Sequence, residues 1–260
     1  MSQRESRAAT FDDADVARCY AHRPPYAPAL YEFLLELAPQ RRVLVDLGCG
    51  PGKIAAALAD RFETVVAIDP AAAMIDTARA LHAGRHPNIA WRQARGEDTE
   101  LPGTIDLVTA GTSIHWMAHD VLFPKLAERT KLVGVVTGDA PPDPPWQEEW
   151  RAAMTHWLAR LHNETYDEPA FVAEGRRFEP WLDIAGRETF TFSFHQSVED
   201  YIACQHSRAS WTRTRMGEAL SAQFDRDLDT VLRPWAQDGR LKTDLISELT
   251  WGAPRTTPHA

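Results

Sequence analysis

A short apolar run, VLVDLG, ends in Gly48-Cys49-Gly50-Pro51-Gly52-Lys53 and is followed at once by the alanine-rich stretch KIAAALADRF. The apolar run reads as a buried strand and the alanine-rich stretch as a helix. Glycines at 48, 50 and 52 let the backbone between them turn sharply and approach a ligand with no Cβ in the way. A helix opening just after Gly52 presents N–H groups that have no partner within the helix, which suits the polar end of a ligand. The alternation then repeats, with TVVAID as a second buried strand and AAAMIDTARALHA as a second helix behind an Asp69-Pro70 start signal. Parallel neighbours need crossover connections, so this βαβ pattern commits the chain to a mostly parallel sheet with helices on its faces.

Further strands are expected at residues 89–94 (IAWRQA), at 104–111 (TIDLVTAG) and in LVGVVTG, with a helix over 119–129. The class is α/β, a doubly wound sheet. Ahead of it, the spacing of Val16 and Tyr20, then of Leu30, Phe33, Leu34 and Leu37, predicts two short helices divided by Pro24 and Pro25. Behind it, DAPPDPPW is too rich in proline to be the interior of an element and marks the end of the core. Residues 146–238 hold helical stretches rich in Trp, His and Arg, interrupted by ETFTFSFHQ, in which Phe190, Phe192 and Phe194 alternate as in a strand at the sheet edge. The residues from Trp251 on read as a tail. The expected divisions are N-terminal helices over 1–40, a core with the glycine loop over 41–138, a cap with the remaining strands over 139–251, and a tail over 252–260.

Charge narrows the partners. The 37 acidic residues against 28 basic ones give a net charge of −9, which disfavours nucleic acid and anionic membranes and favours a small-molecule substrate. No apolar run approaches the roughly 20 residues of a membrane span. The polar N-terminus lacks a secretory apolar region, so a cytoplasmic monomer or homodimer is expected. Cys19, Cys49 and Cys204 are far apart and lack metal-site spacing, implying neither metal nor disulfide.

The glycines read G-x-G-x-G, and Lys53 stands where a dinucleotide site carries its third glycine. Asp69, at the end of the second strand, can accept hydrogen bonds from both ribose hydroxyls of an adenosine; the plainer alternative is an N-cap for the helix behind Pro70. His115 is a candidate general base, or a packing or substrate-positioning imidazole. In HSRASWTRTRMG, one helix and its end would gather Arg208, Trp211, Arg213 and Arg215 into a carboxylate or phosphate site, or into an ordinary solvated face. Trp146, Trp150, Trp157, Trp181 and Trp211 suit an apolar substrate cavity or simply a core.

The segment VLVDLGCGPGKIAAALA strongly resembles motif I of the class I S-adenosylmethionine-dependent methyltransferases, particularly the trans-aconitate methyltransferase-like group, and the resemblance extends over about residues 40–138. It implies a sheet of the seven-stranded type, with S-adenosyl-L-methionine across the carboxyl ends of the strands. It places Gly48, Cys49 and Gly50 at the methionine moiety, with Asp46 organising the loop or reaching the amino group. Met74 would pack on the adenine or in the core, and Gly96 and Glu97, in ARGEDTELP, would lie beside the adenine or in an exposed loop. Thr112, Ser113, His115 and Trp116 would face cofactor and substrate. Tyr20 and Arg23, in YAHRPPY, would close over the cofactor or pack as an ordinary helix turn. The implied reaction is in-line methyl transfer to a small molecule. AERTKLVGVVTGD departs from the family by lacking its L-K-P-G-G turn. Two other readings stand beside it: a nicotinamide-dependent oxidoreductase, disfavoured by the missing third glycine and the lack of a Tyr-x-x-x-Lys pair, and a protein that binds the cofactor without methylating.

Overall fold

The computed structural model describes residues 9–138, 143–162 and 175–259. The strands are β1 (Val43–Leu47), β2 (Thr64–Asp69), β3 (Ile89–Gln93), β4 (Leu107–Gly111), β5 (Val133–Thr137), β6 (Leu182–Ser197) and β7 (Arg240–Pro254). The helices are α1 (Ala14–Tyr20), α2 (Pro28–Leu37), α3 (Lys53–Leu58), α4 (Ala72–Leu81), α5 (His119–Ala127), α6 (Gln147–His162), α7 (Val198–Gln205), α8 (Arg213–Met216) and α9 (Glu218–Leu232). The seven strands form one sheet in the order β3-β2-β1-β4-β5-β7-β6. The β1–β2, β1–β4, β2–β3 and β4–β5 pairs are parallel, whereas β7 runs antiparallel to β5, from Val133↔Gly252 to Thr137↔Glu248. The order turns around between β1 and β4, and in open α/β sheets the crevice at such a switch point receives the ligand.

Two compact units divide the described residues: 26–138, 175–190 and 247–259 form one, and 9–25, 143–162 and 191–246 the other. In the first, β1, β2, β4 and β5 are buried almost throughout, as strands covered on both faces must be. Their Val and Leu side chains join Leu122, Phe123 and Leu126 of α5, together with Phe178 and Leu182, in a single core. On α2, Phe33 packs against Phe190 and Trp251, with ring centroids 5.6 and 5.1 Å away. The second unit has its own core, centred on Trp146, Trp157, Trp211, Phe224 and Leu228.

The structure changes three expectations. Trp251 and the three residues after it are not a tail but the end of β7, where Trp251 pairs with Gly134. Alternate residues of that strand, Leu241, Leu245, Ser247 and Leu249, are buried, a period-two pattern that competes with no turn signal. Arg208, Trp211 and Arg215 do not share a helix, because turns from His206 to Thr212 separate α7 from the four-residue α8. The Thr212 hydroxyl caps α8 by accepting the Arg215 N–H. The two N-terminal helices, expected together over 1–40, fall in different units, α1 in the second and α2 in the first. Of the proline-rich loop, residues 139–142 lie outside the described residues.

Candidate cofactor site

Asp46 is the carboxylate of the buried strand β1, and its position follows from register. It lies opposite Thr109 of β4, whose hydroxyl donates to Oδ1 at 2.8 Å. Its Oδ2 accepts the Ala55 N–H at 3.1 Å. Gly52, the N-cap of α3, has no side chain to satisfy the first turn, so Asp46 does this from the neighbouring strand. Burial pushes its carboxyl up to about 7; the Thr109 hydroxyl and the Ala55 N–H pull the other way, and the charge of Asp69 adds to the rise.

Gly48, Gly50 and Gly52 have φ of 63°, 51° and 90°, a region that side chains rarely adopt. Space also demands glycine at two of them. A Cβ on Gly48 would lie 2.4 Å from the Ser113 Cβ, and one on Gly52 would lie 2.4 Å from Cη2 of Trp91. The loop is hung on β2 at two points: the Cys49 N–H donates to the Ile68 carbonyl at 3.0 Å, and the Gly50 N–H to Asp69 Oδ2 at 2.9 Å. Burial pushes the Cys49 thiol well up, so it stays protonated.

The other oxygen of Asp69 accepts the Ala71 N–H at 2.9 Å, closing a turn ahead of α4. The N-cap of that helix is Ala71, so Asp69 is not the cap that its place before Pro70 suggested. A carboxylate offers about four acceptor positions, and these two bonds do not exhaust it.

Beyond β3, Gly96 lies close to the end of β1, where a Cβ would approach Leu47 Cδ2 to 3.2 Å. Glu97 is buried rather than an exposed loop carboxylate. Its Oε1 accepts Arg95 Nη2 at 2.7 Å and Nε at 3.0 Å, and the Ala118 N–H at 3.4 Å, while Lys125 donates to its carbonyl. Burial raises the pKa of this carboxyl, but its own backbone N–H, Arg95 and Ala118 outweigh that and hold it below the usual value.

The turn after β4 is strained. Thr112 has φ of 52°, which is unfavourable for a β-branched residue and costs about 1–3 kcal/mol. Its N–H donates to the Val136 carbonyl at 2.8 Å, and its hydroxyl meets that of Tyr26 at 3.1 Å. The neighbouring Ser113 hydroxyl donates to the Leu47 carbonyl at 2.6 Å, tying this turn to the end of β1. His115 and Trp116 follow on a 3₁₀ turn, half-buried, with ring centroids 4.6 Å apart. Met74 is buried on α4.

The first unit thus brings together Asp46, Gly48, Cys49, Gly50, Asp69, Met74, Gly96, Glu97, His115 and Trp116. Sequence reasoning missed Tyr26 and Thr109, both buried polar residues of this unit. Thr109 becomes visible only once β1 and β4 are paired in register.

Tyr20, Arg23, Arg208 and Trp211 lie in the second unit. The Arg23 guanidinium stacks over the Tyr20 ring at 4.2 Å and donates to the Ser207 hydroxyl and carbonyl at 2.7 and 3.0 Å. Arg208 bonds Gln205 at 3.1 Å. Trp211 is buried, stacked on Phe224 with centroids 5.4 Å apart. Among the described residues no group of three or more His, Cys, Asp or Glu is arranged to hold a metal ion, and no helix is long and apolar enough to cross a membrane.

Residues 44–133, which contain this loop, both carboxylates and the strained turn, match the model of the methyltransferase domain family. The core is a methyltransferase domain. Over these residues the chain is similar to the Rossmann-like S-adenosylmethionine-dependent methyltransferases, whose cofactor is S-adenosyl-L-methionine. The trans-aconitate 2-methyltransferase of Deinococcus radiodurans is 36% identical to this chain over 113 residues, 42% of each chain. That of Escherichia coli is 29% identical over 198 residues, 75% of this chain and 69% of the relative. The chain spans under half the length of the first curated relatives it matches. A solved structure from Anaeromyxobacter dehalogenans, assigned to the type II methyltransferases, aligns over 91% of this chain and 99% of that one, with a TM-score of 0.64 and 26% identity. The loop presents backbone N–H groups at the start of α3 and a carboxylate at the end of β2, groups suited to the polar end of a ligand.

Proposed function

We propose that this protein transfers a methyl group from S-adenosyl-L-methionine to a small-molecule acceptor. The observation that carries the reading is the Asp69 carboxylate, which fixes the glycine loop through the Gly50 N–H at the switch point of the sheet. Bound there, the cofactor supplies a methyl on a positively charged sulfur, already activated for in-line displacement.

In this reading Asp69 accepts from the ribose hydroxyls, and Gly48, Cys49 and Gly50 line the methionine end, with Asp46 organising their loop. Met74, Gly96 and Glu97 flank the adenine. Glu97 reaches the adenine side through its backbone or a second oxygen, since Oε1 already holds Arg95 and Ala118. Trp116 belongs to the substrate side. His115 takes a proton from the acceptor where the acceptor carries one; alignment and exclusion of water do the rest. Carboxylic acids are the first acceptors to try, because relatives carry the name trans-aconitate 2-methyltransferase. The acidic balance of the chain supports a small-molecule partner over nucleic acid, and we place the protein in the cytoplasm as a monomer or homodimer.

The test is calorimetric titration with S-adenosylhomocysteine and, separately, NADH, on the wild type and on Asp69→Ala. The wild type should bind the homocysteine compound and not NADH. The variant should bind it roughly tenfold to a hundredfold more weakly, as expected for loss of hydrogen bonds to a charged group. Preference for NADH would overturn the reading.

A further inference from the structure

The glycine loop has an outer side, and the residues that hold it are not among those expected to meet the cofactor. Pro51 turns its carbonyl toward Nε2 of His82, 3.1 Å away. A carbonyl only accepts, so Nε2 carries the hydrogen. The His82 ring lies flat on Trp91, with centroids 5.7 Å apart and planes inclined by 14°. Trp91 in turn occupies the space that a Gly52 side chain would need. Both residues are themselves anchored. His82 closes α4, its N–H bonded to the Ala78 carbonyl at 3.1 Å, and Trp91 is paired with Ala67 in the sheet. Arg79 of α4 also bonds the Trp91 carbonyl, at 3.3 Å, linking the two anchors.

The loop needs such support. Glycine loses more conformational freedom on ordering than any other residue, and the loop places three of them at positive φ. A ligand that had to order this loop would bind more weakly than one meeting it already shaped. On the inner side, Asp69 and Ser113 do the shaping; on the outer side, among the contacts described, His82 bonds the Pro51 carbonyl and Trp91 fills the place of a Gly52 Cβ.

We propose that His82 and Trp91 are positioning residues for the cofactor: they clamp the outer side of the Gly50-Pro51-Gly52 turn and thereby set the affinity of the site through the loop rather than by contact. The inference rests on the cofactor reading above. The stack and the hydrogen bond can be separated, because His82→Phe keeps a ring against Trp91 and removes the donor, whereas His82→Gln keeps an N–H donor and removes the ring.

The experiment measures the dissociation constant of S-adenosylhomocysteine by calorimetry, the melting temperature without ligand, and hydrogen exchange of the amides at 49, 50, 52 and 53 without ligand. His82→Phe should weaken binding roughly three- to tenfold, the worth of one net hydrogen bond. It should also speed exchange in the loop while moving the melting temperature by no more than a few degrees. His82→Gln should recover most of the affinity. The proposal is overturned if the wild type binds while His82→Phe binds within twofold of it, or if His82→Gln is as weak as His82→Phe. Failure of the wild type to bind would overturn the cofactor reading instead. Unchanged loop exchange in His82→Phe would still refute the clamp, by a readout that needs no ligand.

Discussion

The two units bury polar groups in different ways. In the unit that carries the glycine loop, the carboxylates of Asp46, Asp69 and Glu97 are buried and bond to the backbone of its loops and helix starts: Asp46 to the Ala55 N–H, Asp69 to those of Gly50 and Ala71, and Glu97 to that of Ala118. In the other, no carboxylate among the described residues is buried, and the core is centred on rings. Trp157 and Trp211 pack on Phe224, His206 meets Asp225 at 2.6 Å, and Arg213 lies 3.4 Å from Asp15. Side chains that bond to backbone fix where loops go, and loops are where ligands are met. Side chains that bond to one another hold helices together. Substitutions in the first unit should therefore change binding or pH response more than stability, and those in the second should do the reverse.

The largest effect should come from the aromatic core. Trp157 is fully buried with its ring edge-on to Phe224 at 5.4 Å, and Trp157→Ala should cost about 3–5 kcal/mol in urea unfolding. A loss below ~1 kcal/mol would mean that this core is looser than its packing suggests.

Asp46 offers a sharper contrast, because its contribution depends on pH. Its carboxyl titrates near 7 in the folded protein against 3.8 ordinarily, so between these values the native state holds the proton more tightly than the unfolded chain. The stability it contributes is complete below about 4 and is lost as pH rises through 7. An asparagine can still accept the Ala55 N–H and donate to the Thr109 hydroxyl. Asp46→Asn should thus match the wild type near pH 4 and exceed it at pH 8, by an amount on the order of a few kcal/mol. Parallel melting curves for the two proteins from pH 4 to 8 would contradict this.

The smallest effect belongs to the exposed ion pairs. Arg233 reaches both Glu199 and Asp229, yet all three are solvated, and such pairs contribute little. Arg233→Ala should leave the melting temperature almost unchanged, and a clear drop would show that the second unit relies on its surface charges as well as on its rings.

How far these regions can be read in the sequence follows from the same contrast. The change from an apolar run to glycines to alanines is local, so β1, the loop and α3 are visible in consecutive residues, and Asp69 is marked by its place at the end of a strand. The partner of Asp46 is not visible, because Thr109 meets it only through the pairing of β1 with β4. Neither is the outer side of the loop, since nothing in IAWRQA marks Trp91 as lying against Gly52. β7 was legible in principle: Leu241, Thr243, Leu245, Ser247 and Leu249 alternate with Lys242, Asp244, Ile246 and Glu248, three of them charged. Trp211 and the arginines around it carry the same composition whether they line a site or pack in a core, and only their contacts distinguish the two.

The place of β7 in the sheet also bears on how the protein is made. β6 precedes β7 in the chain, yet its described neighbour in the sheet is β7, which stands between it and β5. On a ribosome, β6 leaves the exit tunnel before the strand it lies beside, and its backbone N–H and C=O groups have no ladder partner until residues 240–254 follow. During that interval the open edge can pair with another chain, and a translational pause before β7 would prolong the exposure.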